Sequence, residues 1–147
     1  MNKYKILKEY RNNLTILMDI LGSGSTNNED LEKIGTYLFG GVFKGVYASD
    51  QMPLLKNKEM CIINTDDSKG SGVHWIACYK YRNRTYVYDS FDRDVKSLSE
   101  HWKKKHNWIN ANSDRDQSYT EANCGSRAIS WLISVQKYKP NKIKNII

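Results

Sequence analysis

The chain has 147 residues and a mass of 17.1 kDa, the length of one domain. Hydrophobic residues make up 39% and charged residues 27%, with only 2 prolines, so the composition supports a buried core and argues against disorder. No apolar run approaches the ~18–20 residues of a membrane span. The start, Met1-Asn2-Lys3-Tyr4-Lys5, turns polar before any long apolar stretch, so no signal peptide is expected. The three cysteines, Cys61, Cys78 and Cys124, are too sparse for a disulfide scaffold and lack the paired spacing of a zinc site. They fit a reducing compartment. The net charge of +7 is uneven: residues 1–100 carry 14 Lys/Arg against 13 Asp/Glu, and residues 101–147 carry 9 against 3. This basic C-terminal third is either a solvated face or a surface for a polyanion such as DNA.

In chain order, Leu7, Tyr10, Leu14, Leu17 and Leu21 recur at alternating spacings of three and four, which predicts a helix over residues 3–21. Gly22-Ser23-Gly24-Ser25 reads as a linker, so residues 1–23 are expected to form a helical extension and residues 24–147 the main domain. Thr26 or Asn27 caps a second helix over residues 29–39, with acidic residues in its first turn. Gly40-Gly41 stops it, and residues 42–58 read mostly as loop. The period then changes: residues 60–64 form a short β-branched strand. Residues 73–81 and 84–91 form a hairpin about Arg82-Asn83. A helix fits within residues 95–108, and residues 109–123 are turn-like. Residues 126–137 form a last helix with Ala128, Trp131, Leu132 and Val135 on one face, ended by Pro140. The class is α+β: a small antiparallel or mixed sheet flanked by helices.

Four residues stand out chemically. Cys124, in Ala122-Asn123-Cys124-Gly125-Ser126, falls at the N-terminus of the last helix, where unpaired amides and the helix dipole favour a thiolate. His74, in Gly72-Val73-His74-Trp75, opens the first hairpin strand, and Asp89, in Tyr88-Asp89-Ser90-Phe91, closes the second. A two-residue turn at Arg82-Asn83 pairs Tyr81 with Arg84 and sets Ile76 opposite Asp89. His74 and Asp89 are then diagonal neighbours on one face, about 7–8 Å apart at Cα. A three-residue turn would put them on opposite faces. A carboxylate beside an imidazole fixes its tautomer and stabilises the imidazolium. Gln117, seven residues before Cys124, can donate its amide to a developing oxyanion. Taken singly, three of them also have a structural reading: Cys124 as a small buried hydrophobe, His74 as a strand histidine and Gln117 as a loop glutamine.

In the order His74…Asp89…Gln117…Cys124, with Trp75 after the histidine and Gly125 after the cysteine, the chain resembles the adenovirus-type maturation protease family, the adenains. These belong to the clan that includes the SUMO-specific proteases. The likeness runs from about Gly24 to Tyr138 and takes in Cys61-Ile62-Ile63-Asn64-Thr65 as the strand before the histidine. It implies a papain-like cysteine endopeptidase core reached in a different chain order, with the nucleophile at a helix N-terminus. Cys124 would be the nucleophile, His74 the general base and then acid, Asp89 its orienter and Gln117 part of the oxyanion hole. Trp75 would line the cleft or pack as a core residue. No metal or other cofactor is required; DNA or a peptide as activator is left open. Implied partners are polypeptide substrates, namely capsid or core precursors cut at Gly-rich sites, and DNA bound non-specifically through the basic third. No membrane is involved. The setting would be a virion and infected cell, without secretion.

Three departures accompany the likeness. The family's acidic residue is glutamate where this chain has Asp89, and no cysteine lies between Cys78 and Cys124 to bond an activating peptide. The sequence also continues only briefly past the nucleophile helix, which admits a minimal monomer or a homodimer that completes the cleft. Ile20-Leu21-Gly22-Ser23-Gly24 reads first as a flexible linker and also resembles the family's cleavage pattern, with a cut after Ser23. Other activities open to these residues are isopeptidase cleavage of ubiquitin-like tails, acyl transfer through an acyl-cysteine, and a non-catalytic nucleic-acid-binding module.

Overall fold

The computed structural model describes residues 2–22, 27–64, 74–89, 100–111, 124–144 and 146–147. Helix α1 (Lys3–Leu21) is followed by α2 (Asn28–Phe39), strand β1 (Phe43–Ala48), β2 (Met60–Asn64), β3 (Trp75–Tyr81) and β4 (Arg84–Tyr88). Then come α3 (Glu100–Lys105), β5 (Trp108–Asn110), α4 (Cys124–Tyr138) and α5 (Pro140–Ile143). The five strands form one mixed sheet in sequential order. β1 runs parallel to β2 and β5 parallel to β4, while β2/β3 and β3/β4 are antiparallel. The architecture is therefore α+β.

Local chemistry sets the helix limits. The Asn2 side chain accepts from the Tyr4 N–H at 2.7 Å, and the Asn27 side chain accepts from the Asp30 N–H at 2.8 Å, so each helix has one of its open donors capped. Gly40 ends α2 at φ 65°, a left-handed conformation that glycine adopts without a Cβ clash. Helix α4 begins on Cys124 itself, two residues earlier than the periodicity suggests, and Pro140 starts the short α5.

Both faces of the sheet are covered, which accounts for the apolar runs in the strands. Met60, Ile62, Ala77, Tyr79 and Tyr88 point to one face and meet Ile6, Tyr10, Leu14 and Leu17 of α1 and Ala128, Ile129, Trp131, Leu132 and Val135 of α4. The alternating residues Cys61, Ile63, Ile76, Cys78 and Val87 point to the other face, against Met52, Leu55 and Trp102 of α3. Helix α1, read in the sequence as a helical extension, has its apolar stripe in the common core. Helix α4 is buried along most of its length, including Ser126, Ser130 and Ser134 at four-residue spacing. Among the described residues no helix is long and apolar enough to cross a membrane.

Two elements differ from the sequence expectation. The stretch 42–58, read as loop, holds β1. Its strand period is broken by a bulge at Gly45 (φ 120°): Phe43 and Val46 pair with Met60 and Ile62, three steps against two. Residues 108–110, on the border of the turn-like segment, add a strand of three residues, too short to show alternation. The helix expected within 95–108 is present over Glu100–Lys105.

The β3/β4 hairpin has the expected register: Tyr81 pairs with Arg84, Tyr79 with Tyr86 and Ala77 with Tyr88. Side chains outside the hairpin hold its turn. Asn57 Oδ1 accepts from the Arg82 N–H at 2.6 Å, and the Asn107 amide donates to the Asn83 carbonyl at 2.7 Å. This register decides which residues meet at the far end.

At the α2/β1 contact, a Cβ on Gly35 would fall inside the van der Waals surface of the Phe43 ring. Gly35→Ala should therefore destabilise the fold by about 1–3 kcal/mol. Urea denaturation should register that loss, and Phe43→Leu in the Gly35→Ala background should recover part of it.

Candidate active site

His74 stands immediately before β3 and Asp89 immediately after β4, so both lie at the same end of the hairpin. Its register brings them together as diagonal neighbours. His74 Nε2 and Asp89 Oδ1 form a short, buried ion-pair hydrogen bond. The two residues are 0% and 1% exposed, and Cys124 is 7% exposed. With Asp89 on Nε2, Nδ1 is the ring nitrogen left for Cys124, whose thiol lies near enough for the two groups to shift each other's pKa. The backbone amides of Trp75 on β3 and Gly125 on α4 also lie close enough to the sulfur to favour its thiolate. The acid, the imidazole and the sulfur therefore converge from β4, β3 and α4.

The electrostatics of the two central groups are reciprocal. Burial pushes the Cys124 thiol up, but the His74 hydrogen bond, the Trp75 amide, the His74 charge and the Gly125 amide together bring it below the usual thiol range. Burial pushes the His74 imidazolium down, yet the bonds and charges of Asp89 and Cys124 outweigh it and hold the ring above its usual range. Each group favours the charged form of the other. The remaining cysteines have another environment. Cys61 and Cys78 face each other across β2/β3, fully buried, and their mutual hydrogen bond together with burial pushes the Cys61 thiol well up. All three cysteines are free.

The structure thus brings together three of the four residues expected to act, His74, Asp89 and Cys124; Gln117 lies outside the described residues. Trp75 is half-buried against the α4-side core, and its backbone amide is the part that favours the Cys124 thiolate. A supporting contact was not anticipated. Tyr88, next to Asp89, stacks on Trp131 at 5.4 Å between centroids and 4° between planes. Trp131 follows Cys124 by seven residues, two helical turns, so the stack ties the strand bearing the acid to the helix bearing the thiol. The sequence signals are an aromatic residue before the acid and another at i+7 from the cysteine.

Among the described residues, no group of three or more His, Cys, Asp or Glu is placed to hold a metal ion. Neither a protein-family model nor a curated protein matches the chain. A paired thiol and imidazole of this kind supplies a nucleophile and an adjacent proton donor.

Iodoacetamide at near-neutral pH should label Cys124 well ahead of Cys61 and Cys78, with peptide mass mapping as the readout. The labelling rate should rise through a midpoint below the ~8.5 of a free cysteine, because the thiolate is the favoured form. His74→Ala removes the largest lowering influence and leaves burial, so the midpoint should move up and the neutral-pH rate fall at least ~10-fold.

Proposed function

We propose that the chain is a cysteine protease built on a papain-like core, with Cys124 as nucleophile, His74 as acid and base, and Asp89 as the residue that orients His74. The observation that carries this reading is the buried contact chain from the Asp89 carboxylate through the His74 ring to the Cys124 thiol at the start of α4. An imidazole that serves only packing has no need of a carboxylate on one side and a thiol with a lowered pKa on the other.

The chemistry follows from the two ring nitrogens. The Cys124 thiolate attacks the scissile carbonyl carbon, forming a C–S bond and moving the carbonyl π electrons onto oxygen. As the oxyanion collapses, His74 gives its Nδ1 proton to the leaving amine and the C–N bond breaks, leaving a thioester. Neutral His74 then takes a proton from water, whose oxygen attacks the thioester carbon. The C–S bond breaks, releasing the carboxylic acid and restoring the thiolate–imidazolium pair. Asp89 keeps Nε2–H engaged throughout, so the ring presents Nδ1 to each proton transfer. The oxyanion would sit near the Cys124 amide, with the Gln117 side chain as second donor, a contact worth ~10²–10³ in rate.

The resemblance of the ordered residues extends the proposal to a viral maturation protease cutting structural precursors at Gly-rich sites in a virion or infected cell. The basic third, with Lys103, Lys104 and Lys105 on α3, supplies charge suited to DNA.

Fluorogenic peptides spanning Gly-Gly and Gly-X-Gly sequences, assayed beside ubiquitin-like isopeptide reporters, test this reading. Wild type should cleave the peptides, Cys124→Ala should have no activity, and Asp89→Asn should lose about 10²–10⁴ in kcat. Cleavage that survives Cys124→Ala would overturn the assignment; preference for the isopeptide reporters would keep the chemistry and change the substrate.

A further inference from the structure

Among the described residues, helix α1 reaches the site through a buried contact. The Tyr10 and Tyr88 hydroxyls share a hydrogen bond of 3.1 Å, and each residue is 1% exposed. Tyr88 is also paired with Ala77 across the hairpin and stacked on Trp131 of α4. Asp89 follows it by a single peptide unit, about 3.8 Å between Cα atoms. One residue earlier on α1, Glu9 takes the Tyr138 hydroxyl and the Lys137 ammonium, the latter at 3.2 Å, so α1 is also fastened to the far end of α4. The three elements α1, β4 and α4 meet at Tyr88, between the acid and the helix that carries the thiol.

Two buried hydroxyls facing each other contribute little net stability, because replacing both by apolar groups of the same shape is nearly neutral. Phenylalanine at both positions would fill the same space. What the hydroxyl pair adds is a fixed separation and direction between α1 and the end of β4. We propose that α1 braces the site and that Tyr10 is a positioning residue: through the Tyr88 hydroxyl it holds Asp89 at hydrogen-bonding distance from His74. This rests on the thiol-protease reading. The helix that the sequence presents as a detachable extension becomes part of what sets the reactivity of Cys124.

The test measures the pH midpoint of Cys124 alkylation by iodoacetamide in the full chain, followed by peptide mass mapping. Wild type, Tyr10→Phe, Tyr88→Phe and the double variant are compared, with thermal melting recorded in parallel. A looser Asp89 stabilises the imidazolium less, so the thiolate is favoured less and the midpoint rises. Each single variant should raise it by roughly half a pH unit, a fraction of the shift expected for loss of a charged partner. The double variant should raise it no further than either single, since both remove the same bond. A purely structural contact would lower the melting temperature and leave the midpoint in place. Tyr88→Phe reads the same bond from the other side, so the test does not depend on one variant folding. Unchanged midpoints in both single variants, or additive shifts in the double, would overturn the brace while the low wild-type midpoint kept the protease reading intact. A wild-type midpoint in the ordinary thiol range would overturn both.

Discussion

The structure depends on a histidine ring held between a carboxylate and a thiol, all three removed from water. Burying any one of them in charged form without a partner costs several kcal/mol, and the usual outcome is neutralisation. Here the neighbours reverse that outcome for two of the groups. Asp89 and Cys124 keep the His74 ring ready to hold a proton, and His74 with two backbone amides keeps the Cys124 sulfur ready to lose one. The balance holds only while the three residues stay within hydrogen-bonding reach, so the fold has to fix their positions against one another.

It does so with rigid parts. His74 and Asp89 flank adjacent antiparallel strands whose register is set at the opposite end by the Arg82-Asn83 turn and by Asn57 and Asn107. A slip of one residue would turn one of them to the other face. The thiol comes from a helix that is buried along most of its length, and the Tyr88–Trp131 stack fixes that helix against β4. Apolar layers on both sides of the sheet exclude water from the region behind the dyad. The same layers place Cys61 and Cys78 opposite each other in the core, where burial favours the neutral thiol.

The site was legible in the sequence to the extent that it rests on local rules. A two-residue turn fixes parity along a hairpin, so the meeting of His74 with Asp89 follows once Arg82-Asn83 is recognised as the turn. The start of α4 was legible to within two residues, and Asn27 was one of two candidate caps for α2. Features that depend on non-local packing were not legible. β1 was hidden because the bulge at Gly45 destroys its alternation. The stripe on α1 announced a helix with something to cover, but periodicity cannot say what; its place on α4 and Tyr88 emerges only in three dimensions. The Trp75 amide on the sulfur belongs to the backbone, which leaves no residue-type signal. The facing of Cys61 and Cys78 depends on the register of two strands separated by residues 65–74, too long a connection for turn rules to fix.

The most direct measurement is the titration of the His74 ring, followed by its ¹⁵N NMR shifts in wild type and in Cys124→Ala. The expected result is a wild-type ring that stays doubly protonated to a higher pH than an ordinary histidine, with the midpoint moving down when the sulfur is removed. A ring that titrates at or below the ordinary value, unchanged by Cys124→Ala, would contradict the coupling between imidazole and thiol on which the site's chemistry depends.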